Sequence, residues 1–379
     1  MPTSFEQGPI RPPSEASSLL IRVTRNCPYN KCFFCPVYKG ARYSEREIGE
    51  VLKEIDLVAD WADALRDLPE ITQENLAILA DKATQTGEYE AFAAATNFLL
   101  RGKGRSVFLQ DADSLHIGSA PILSILQRLR QRFPGLDRIT TYARADTIAA
   151  LSQTEMDALS EAGLNRIHIG MESGSDAVLE LVHKGATQAQ IIEAGHKVKK
   201  ACIELSVYIM PGLGGSALSD LNADETAFTI NAINPDFIRV RTFTIPRPDN
   251  ILGKMAARGE FLPLGDVGKA GELARTIHGL SDTITSTIYS DHVLNLLEEI
   301  HGRLPQDRER MLETLDRFLD LPASEQQLFI IGRRSMIMRL LADLNRPGLR
   351  LQAEAMRDRY NIRGDSFDEK IQELMMQFI

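Results

Sequence analysis

Three cysteines, Cys27, Cys32 and Cys35, lie within nine residues near the start of this chain. Thiolates bind zinc ions and iron–sulfur clusters, but three are one fewer than the four that close a tetrahedral zinc site or saturate a cubane cluster. A cubane cluster held by three cysteines keeps one iron open for a ligand that is not protein. The spacing is therefore typical of a site where chemistry takes place at a metal.

The cysteine loop has two other interpretations. A zinc knuckle needs a fourth ligand, and the nearest histidine in the chain, His116, is far from the loop in sequence. A redox-active dithiol needs only Cys32 and Cys35, which leaves Cys27 without a role. A site-differentiated [4Fe–4S] cluster uses all three thiols. The fourth cysteine, Cys202, is predicted to be a small buried apolar residue.

The loop follows the first of six candidate strands that alternate with amphipathic helices. The strands are predicted at Leu19–Thr24, Ser106–Asp111, Arg138–Arg144, Arg166–Glu172, Leu205–Met210 and Phe237–Phe243. Capping boxes that begin at Ser44, Ser152 and Thr187 predict helix starts. Crossover helices between successive strands imply a parallel sheet with right-handed connections. The pattern fits a partial (β/α)6 parallel barrel, and it also fits a flat doubly wound sheet.

Several of these strands carry polar residues on one face. The alternating polar positions are Thr140, Tyr142 and Arg144; Arg166, His168 and Glu172; Ser206 and Tyr208; and Arg239 and Arg241. A side-chain period of two places each set on a single face. Because the apolar face belongs under the helices, the polar faces are predicted to line a hollow barrel that holds a polar ligand. The alternative is an open edge where these residues meet solvent.

Length and charge restrict the class of protein. The chain has 379 residues, a net charge of -9 and a pI near 5.4, which argue against a nucleic-acid surface. No apolar run is long enough for a transmembrane helix, and residues 1–18 do not resemble a secretory leader. Cysteine usage indicates no disulfide framework, so the predicted location is the cytoplasm.

Three divisions of the chain are predicted. Residues 1–18 form an N-terminal extension, 19–250 form the α/β core and 251–379 form a helical C-terminal region, with helices at His292–His301, Asp307–Leu319 and Ser324–Leu344. Residues 69–103 interrupt the alternation of strands and helices. This segment is predicted to be a helical insertion before the second strand.

In the cysteine loop and the strands that follow it, the chain resembles the radical SAM superfamily. The resemblance covers about residues 19–250 and rests on the cysteine loop with Phe34 before its last cysteine. Four strand ends add to it, namely FLQDADS at 108–114, TYARAD at 141–146, AGLNRIHIGMESGS at 162–175 and MPGLGG at 210–215. They are similar to the branch that includes oxygen-independent coproporphyrinogen oxidases and methylthiotransferases. The loop is atypical, since its spacing is C-x4-C-x2-C where the family has C-x3-C-x2-C.

The resemblance implies cofactors and roles for particular residues. Cys27, Cys32 and Cys35 would each bind one iron of a [4Fe–4S] cluster, and S-adenosylmethionine (SAM) would bind the fourth. Electron transfer from reduced flavodoxin or ferredoxin would then give a 5′-deoxyadenosyl radical that abstracts hydrogen from substrate. The implied SAM contacts are Phe34 and the backbone of Met210 and Gly212 for adenine, Asp111 and Asp113 for the amino group, Arg144 for the carboxylate, and Glu172 and Ser173 for the ribose.

These assignments have structural alternatives. Arg144 pairs with Asp146 or Asp113 in one of them, Glu172 pairs with Arg166 in another, and Gly212 belongs only to a strand-to-helix turn. The residues left for substrate include Tyr208 and Arg241. Because guanidinium groups bind carboxylates bidentately, the hypothesis is an oxidoreductase or lyase that acts on an anionic small molecule. Other hypotheses are a coproporphyrinogen-oxidase-like tetrapyrrole enzyme and a non-catalytic iron–sulfur redox or sensor protein.

Overall fold

The computed structural model describes residues 5–245, 248–362 and 364–375. Parts of the predicted extension, core and C-terminal region, namely residues 1–4, 246–247, 363 and 376–379, lie outside the described residues. The chain forms two compact units. The first comprises Met1–Asn30, Val37–Ile169 and His196–Leu205, and the second comprises Lys31–Pro36, Gly170–Gly195 and Ser206–Ile379. The sequence-based boundaries at residues 18 and 250 stay predictions.

Ten strands occur in the described residues. They are β1 (Leu19–Arg22), β2 (Thr24–Arg25), β3 (Ser44–Glu45), β4 (Ser106–Gln110), β5 (Arg138–Ala143), β6 (Arg166–Glu172), β7 (Glu204–Ile209), β8 (Phe237–Val240), β9 (Thr287–Tyr289) and β10 (Gly302–Arg303). The six predicted strands are β1 and β4 to β8, and their bounds differ from the prediction by a few residues at most. The sequence pattern missed β9 and β10, which lie in the region predicted to be helical.

Fifteen α-helices are described. They are α1 (Ile48–Arg66), α2 (Gln73–Thr86), α3 (Tyr89–Leu100), α4 (Ser119–Arg132), α5 (Ala145–Ala150), α6 (Gln153–Glu161), α7 (Asp176–Leu181), α8 (Gln188–Lys200), α9 (Ser219–Ile233), α10 (Ile251–Ala257), α11 (Asp266–His278), α12 (Arg308–Leu319), α13 (Ala323–Arg334), α14 (Pro347–Arg359) and α15 (Phe367–Met375). The segment predicted to be a helical insertion, 69–103, contains α2 and α3.

The strands of each unit follow one another in parallel. In the first unit β1 pairs with β4, β4 with β5 and β5 with β6, so that Thr140 lies opposite Arg166. In the second unit β7 pairs with β8 and β8 with β9 in parallel, whereas β10 is antiparallel to β9. Parallel strands joined by helices confirm the predicted class, the α/β fold of partial (β/α)6 barrels with a helical C-terminal region.

Helix starts show where local sequence decided the structure. Ser152 begins α6 with a complete capping box, in which its hydroxyl accepts from Glu155 N–H and Glu155 accepts from Ser152 N–H. Thr187 and Gln190 form the same reciprocal pair before α8. The capping box predicted at Ser44 is wrong, because Ser44 pairs with Arg25 in a two-stranded ribbon and α1 starts later.

Two helices of the C-terminal region were predicted wrongly. Residues 292–301 form turns rather than a helix. The helix predicted at Ser324–Leu344 begins at Ala323 and ends at Arg334. The guanidinium groups of Arg333 and Arg334 bind the carbonyl oxygens of Asn295, Leu296 and Leu294. This tertiary contact supports the turns and lies where the helix ends. Hydrophobic periodicity does not encode such a contact, so the sequence pattern could not predict it.

Within the described ranges no helix is both long and apolar enough to cross a membrane.

Candidate active site

The cysteine loop carries three thiols with no disulfide among them. Cys32 is buried, and Cys27 and Cys35 are half-buried. The backbone N–H of Asn30 points to the Cys27 sulfur at 3.3 Å. Amide donors of this kind favour a sulfur that carries negative charge. In the part of the chain that the structure describes, no group of three or more His, Cys, Asp or Glu side chains is arranged to hold a metal ion.

Cys202 was predicted to be buried, and the structure corrects this. The residue follows α8 and its side chain is exposed. Its backbone has a φ of 57°, because the chain turns sharply there before β7 begins. The turn moves the thiol out of the apolar pattern of the preceding helix, which was the basis of the prediction.

Two aromatic residues anchor the middle of the cysteine loop in the second unit. Phe33 donates its backbone N–H to the carbonyl of Val182 at 2.9 Å, and its ring stacks on His183 at 5.2 Å. Phe33 and Phe34 both pack against a buried apolar cluster that includes Met210. Phe34 and Met210, which were both predicted to lie near adenine, therefore contact the same cluster.

Lys184 is a functional candidate that the sequence reasoning missed. Its ammonium group lies 3.0 Å from the Glu172 carboxylate and 5.7 Å from the centre of the Phe34 ring. Its carbonyl oxygen lies 3.9 Å from the Cys32 sulfur. The signal in the sequence was weak, because one lysine after a short helix is ordinarily a surface residue.

Glu172 ends β6 in a left-handed backbone conformation, with a φ of 66°. Such a conformation is uncommon for a residue with a side chain and is concentrated at functional sites. The alternative of a pair with Arg166 is not the one observed, because Arg166 binds Glu204 at 2.6 Å and Glu172 binds Lys184. Lys184 contacts both Glu172 and the cysteine loop, and Glu172 therefore lies close to that loop.

Asp113 is a buried carboxylate after β4. It accepts a hydrogen bond from the Thr147 hydroxyl at 2.6 Å and one from the Arg144 backbone N–H at 3.3 Å. Burial raises the pKa of Asp113 to about 6, and the contacts with Thr147 and Arg144 oppose this shift only in part. Asp113 therefore changes its charge just below neutral pH.

The guanidinium group of Arg144 pairs with Asp146 at 2.9 Å, which is one of the alternatives drawn from the sequence. The same group lies 4.2 Å from the centre of the Tyr29 ring, two residues after Cys27. A cation over an aromatic face is stabilised by the ring quadrupole. Arg144 is therefore held beside the start of the cysteine loop.

Asp111, the other acidic residue predicted to contact SAM, is fully buried and surrounded by protein donors. Arg22 donates to it from two nitrogens at 2.8 and 3.2 Å, and the backbone N–H of Asn26 donates at 3.0 Å. The Tyr38 hydroxyl donates to its other oxygen. All four contacts lie in the first unit.

A buried carboxylate in the second unit connects two of the predicted SAM-binding turns. Glu272 of α11 accepts from the Gly212 N–H at 2.8 Å and from the Asn222 amide at 2.7 Å. The Asn222 oxygen accepts from the Ser173 hydroxyl, and Ser173 is fully buried. Gly212 has a φ of 88°, and a Cβ there would lie 3.0 Å from the Lys269 side chain, so any other residue would be strained.

The second unit also contains the polar strand face that the sequence predicted. Arg239 lies opposite Tyr208, and Arg241 continues the row since its N–H donates to the Ile209 carbonyl. Arg239 stacks on Tyr289 at 5.0 Å and pairs loosely with Asp291 at 3.5 Å. In the described residues, the Nε groups of both arginines are buried without a hydrogen-bond partner, as is the hydroxyl of Ser206. This face is therefore not an open edge in contact with solvent.

His292 adds a neutral donor or acceptor near these arginines. Burial and the positive charge of Arg241 together lower the pKa of His292 to about 4, against the opposing effect of Asp291. The imidazole is therefore neutral at physiological pH. The positive charge of this region is carried by the two arginines.

The family of this chain is established by comparison with known proteins. A family model described as the radical SAM superfamily matches residues 21–224, which is more than half of the chain. Among curated proteins, the chain is similar to the tRNA uridine(34) acetyltransferase of Methanocaldococcus infernus, with 26% identity over 113 residues, 30% of this chain and 21% of that protein. The Methanocaldococcus jannaschii enzyme of the same name is 28% identical over 85 residues, 22% of this chain and 15% of that protein. The chain thus spans about a fifth of the length of these relatives.

Among solved structures, the chain is similar to the Methanocaldococcus infernus Elp3 protein, with a TM-score of 0.41 and 16% identity over 56% of this chain and 55% of that one. It is also similar to the coproporphyrinogen III oxidase of Escherichia coli, with a TM-score of 0.39 and 13% identity over 96% of this chain and 90% of that one. Structural similarities with such low TM-scores support no conclusion about function. The family model is the evidence for the family: the chain belongs to the radical SAM superfamily, whose cofactors are a [4Fe–4S] cluster and SAM.

Proposed function

We propose that this protein is a radical SAM oxidoreductase or lyase that abstracts a hydrogen atom from an anionic small molecule. The observation that supports an anionic substrate concerns two arginines, Arg239 in β8 and Arg241 just after it, whose buried Nε groups have no hydrogen-bond partner among the described residues. Buried donors are nearly always satisfied in folded proteins, and a buried donor without a hydrogen-bond partner is costly. A carboxylate or phosphate of the substrate would satisfy both groups bidentately.

Cys27, Cys32 and Cys35 are proposed as the ligands of the cluster. The residues fit this role, because none of the three thiols is in a disulfide and an amide N–H points to the sulfur of Cys27. When bound, the cluster supplies the electron, delivered by reduced flavodoxin or ferredoxin, that splits SAM into methionine and a 5′-deoxyadenosyl radical. The packing of Phe33 on the apolar cluster of the second unit fixes the loop that presents Cys32 and Cys35.

The residues proposed for SAM fall into three groups. Lys184 and Glu172 lie beside the cysteine loop and offer one charge of each sign to the zwitterionic end of SAM or to its ribose. Arg144 and Asp113 offer a second pair of charges in the first unit. Phe34, Met210 and the N–H-bearing turn at Gly212 offer an apolar surface and close backbone approach for adenine. Ser173 is proposed to act indirectly, through Asn222.

Tyr208 and Arg241 are proposed to act on the substrate. Tyr208 pairs in register with Arg239, which supports a position on the same strand face as the arginines. Its proposed role is to donate a hydrogen bond or a proton to a molecule bound there. Arg241 would hold the anionic group and orient the carbon that loses hydrogen. Hydrogen abstraction demands such positioning, because a misplaced radical reacts with the wrong atom.

The first experiment measures SAM cleavage. Protein reconstituted anaerobically with iron and sulfide, and reduced by dithionite or flavodoxin, is expected to release 5′-deoxyadenosine and methionine from SAM. Cys27→Ser, Cys32→Ser and Cys35→Ser are each expected to abolish release. A protein that assembles its cluster but neither binds nor cleaves SAM would be a redox or sensor protein, and the proposed enzyme activity would be wrong.

The second experiment tests the substrate class. Candidate carboxylate- and phosphate-bearing molecules, coproporphyrinogen III among them, are labelled with deuterium and scored for transfer of the label to 5′-deoxyadenosine. For a molecule that transfers it, Arg241→Gln is expected to raise KM at least about tenfold and to leave the Kd for SAM within about twofold. Arg258→Gln is the control, since Arg258 is exposed and pairs with Glu260. Equal loss of substrate and SAM binding in Arg241→Gln, or a neutral substrate, contradicts the proposal.

A further inference from the structure

We propose that Asp111 is a positioning residue that fixes both flanks of the cysteine loop and makes no contact with SAM. The inference rests on the proposed role of the loop as the cluster site. It changes the role that the family resemblance implied for this carboxylate. The argument uses contacts within the first unit only.

The contacts of Asp111 reach both sides of the thiols. Asn26, whose N–H donates to Asp111 Oδ2, directly precedes Cys27 in the chain. Tyr38, whose hydroxyl donates to Oδ1, follows Cys35 by three residues. One carboxylate therefore holds the residues that enter and leave the loop. Charge-assisted hydrogen bonds to a buried carboxylate are among the stronger ones in proteins.

The loop needs such support because its backbone is strained. Asn26 and Asn30 adopt left-handed conformations, with φ values of 68° and 44°. Residues with side chains hold such conformations only where their surroundings enforce them. Their side-chain amides supply part of the restraint, since Asn26 donates to the Arg42 carbonyl at 2.6 Å and Asn30 donates to the Tyr38 carbonyl at 2.6 Å. Asp111 adds a further restraint through the backbone N–H of Asn26.

Asp111 is closed off from the ammonium group of SAM by its neighbours. Two nitrogens of Arg22 and the Asn26 N–H converge on Oδ2, and the Tyr38 hydroxyl donates to Oδ1. Asp111 and Asp113 are both 0% exposed, so these donors, together with the cover of Gly8, set Asp111 apart. The backbone of Gly8 covers it so closely that a Cβ there would lie 3.2 Å from the carboxylate.

The test follows the cluster itself. Wild-type protein, Asp111→Asn and Tyr38→Phe are reconstituted anaerobically, and the rate of iron release to a chelator and the EPR spectrum of the reduced cluster are measured without SAM. Iron release is expected to accelerate about tenfold in Asp111→Asn and about threefold in Tyr38→Phe, as the loss of buried hydrogen bonds implies. The g values are expected to shift in both variants. Asp137→Asn is the control, because Asp137 is an exposed partner of Arg105.

Each other result overturns the inference. An Asp111→Asn variant with the wild-type iron-release rate and SAM-free EPR spectrum, but without the spectral change that SAM induces, would show a direct SAM contact. Variants identical to wild type in every measurement would show that Asp111 does not position the loop. If Asp111→Asn fails to fold, as judged by its circular dichroism, Tyr38→Phe alone decides. A wild-type protein that takes up no cluster contradicts the proposed function as well.

Discussion

Asp113 carries a carboxylate whose charge changes close to physiological pH. Its pKa is raised to about 6 by burial. If Asp113 accepts the SAM ammonium group, only its ionised form binds strongly. SAM affinity is therefore expected to be constant above about pH 7 and to fall by up to about tenfold per pH unit below pH 6. Isothermal titration of the reconstituted protein between pH 5.5 and 8 would measure this.

The matched variant for that experiment is Asp113→Asn. Asparagine can still accept from the Arg144 N–H and can donate to the Thr147 hydroxyl, so the local hydrogen bonds have a replacement. The variant is expected to bind SAM weakly and with no dependence on pH through this range. A wild-type profile that stays flat down to pH 5.5 would contradict the proposed role of Asp113.

Asp111 and Asp113 show how much of the site could be predicted from residue types alone. Both are acidic residues at the end of β4, and the sequence motif treats them alike. The structure separates them, since Asp111 binds Arg22, Asn26 and Tyr38 while Asp113 binds Thr147 and the Arg144 backbone. Their partners come from distant parts of the chain, which neither spacing nor periodicity reports.

At the scale of elements, α11 supports the turn at Gly212. Glu272 accepts from Gly212, Asn222 and Ser219, and its burial raises its pKa. Glu272→Leu leaves two buried donors and one half-buried donor without an acceptor and is expected to lower the free energy of unfolding by about 3 kcal/mol. Glu272→Gln keeps an acceptor of the same shape and is expected to cost about 1 kcal/mol. Urea unfolding of the apoprotein, followed by circular dichroism, would measure both.

The comparison of these two variants separates hydrogen bonding from charge. A Glu272→Leu variant as stable as wild type, to within about 0.5 kcal/mol, would show that the turn at Gly212 does not depend on α11. Equal losses in the two variants would show that the negative charge, rather than the acceptor geometry, stabilises the turn.

Elements differ in how well the sequence predicted them. The strands β1 and β4 to β8 have alternating or apolar patterns long enough to be recognised, and Ser152 fixes the start of α6 through contacts three residues away. Strands β9 and β10 were missed because they contain three and two residues, too few for any periodicity to show. The contribution of Glu272 was likewise invisible, since one glutamate in an amphipathic helix is ordinarily on the solvated face.

At the scale of the whole molecule, the net charge of -9 bears on partners. The curated relatives that match part of this chain are named as tRNA-modifying enzymes. Binding to tRNA is ordinarily driven by basic side chains that release counterions, and this chain has an acidic excess. We therefore expect no binding of unmodified tRNA tighter than about 100 μM at about 150 mM salt. Filter binding over a range of salt concentrations would measure this, and a micromolar Kd with a steep salt dependence would contradict it.

The segment before β1 has a consequence for protein engineering. Glu6 binds the guanidinium groups of Arg22 and Arg25, each at 2.7 Å, and Gly8 binds the Gln110 side chain at 2.9 Å. A chain shortened to start at Leu19 would leave both arginines without this carboxylate and would admit water to Asp111. Fluorophores, affinity tags and randomised positions therefore belong on a surface such as the exposed face of α2 rather than on residues 5–8.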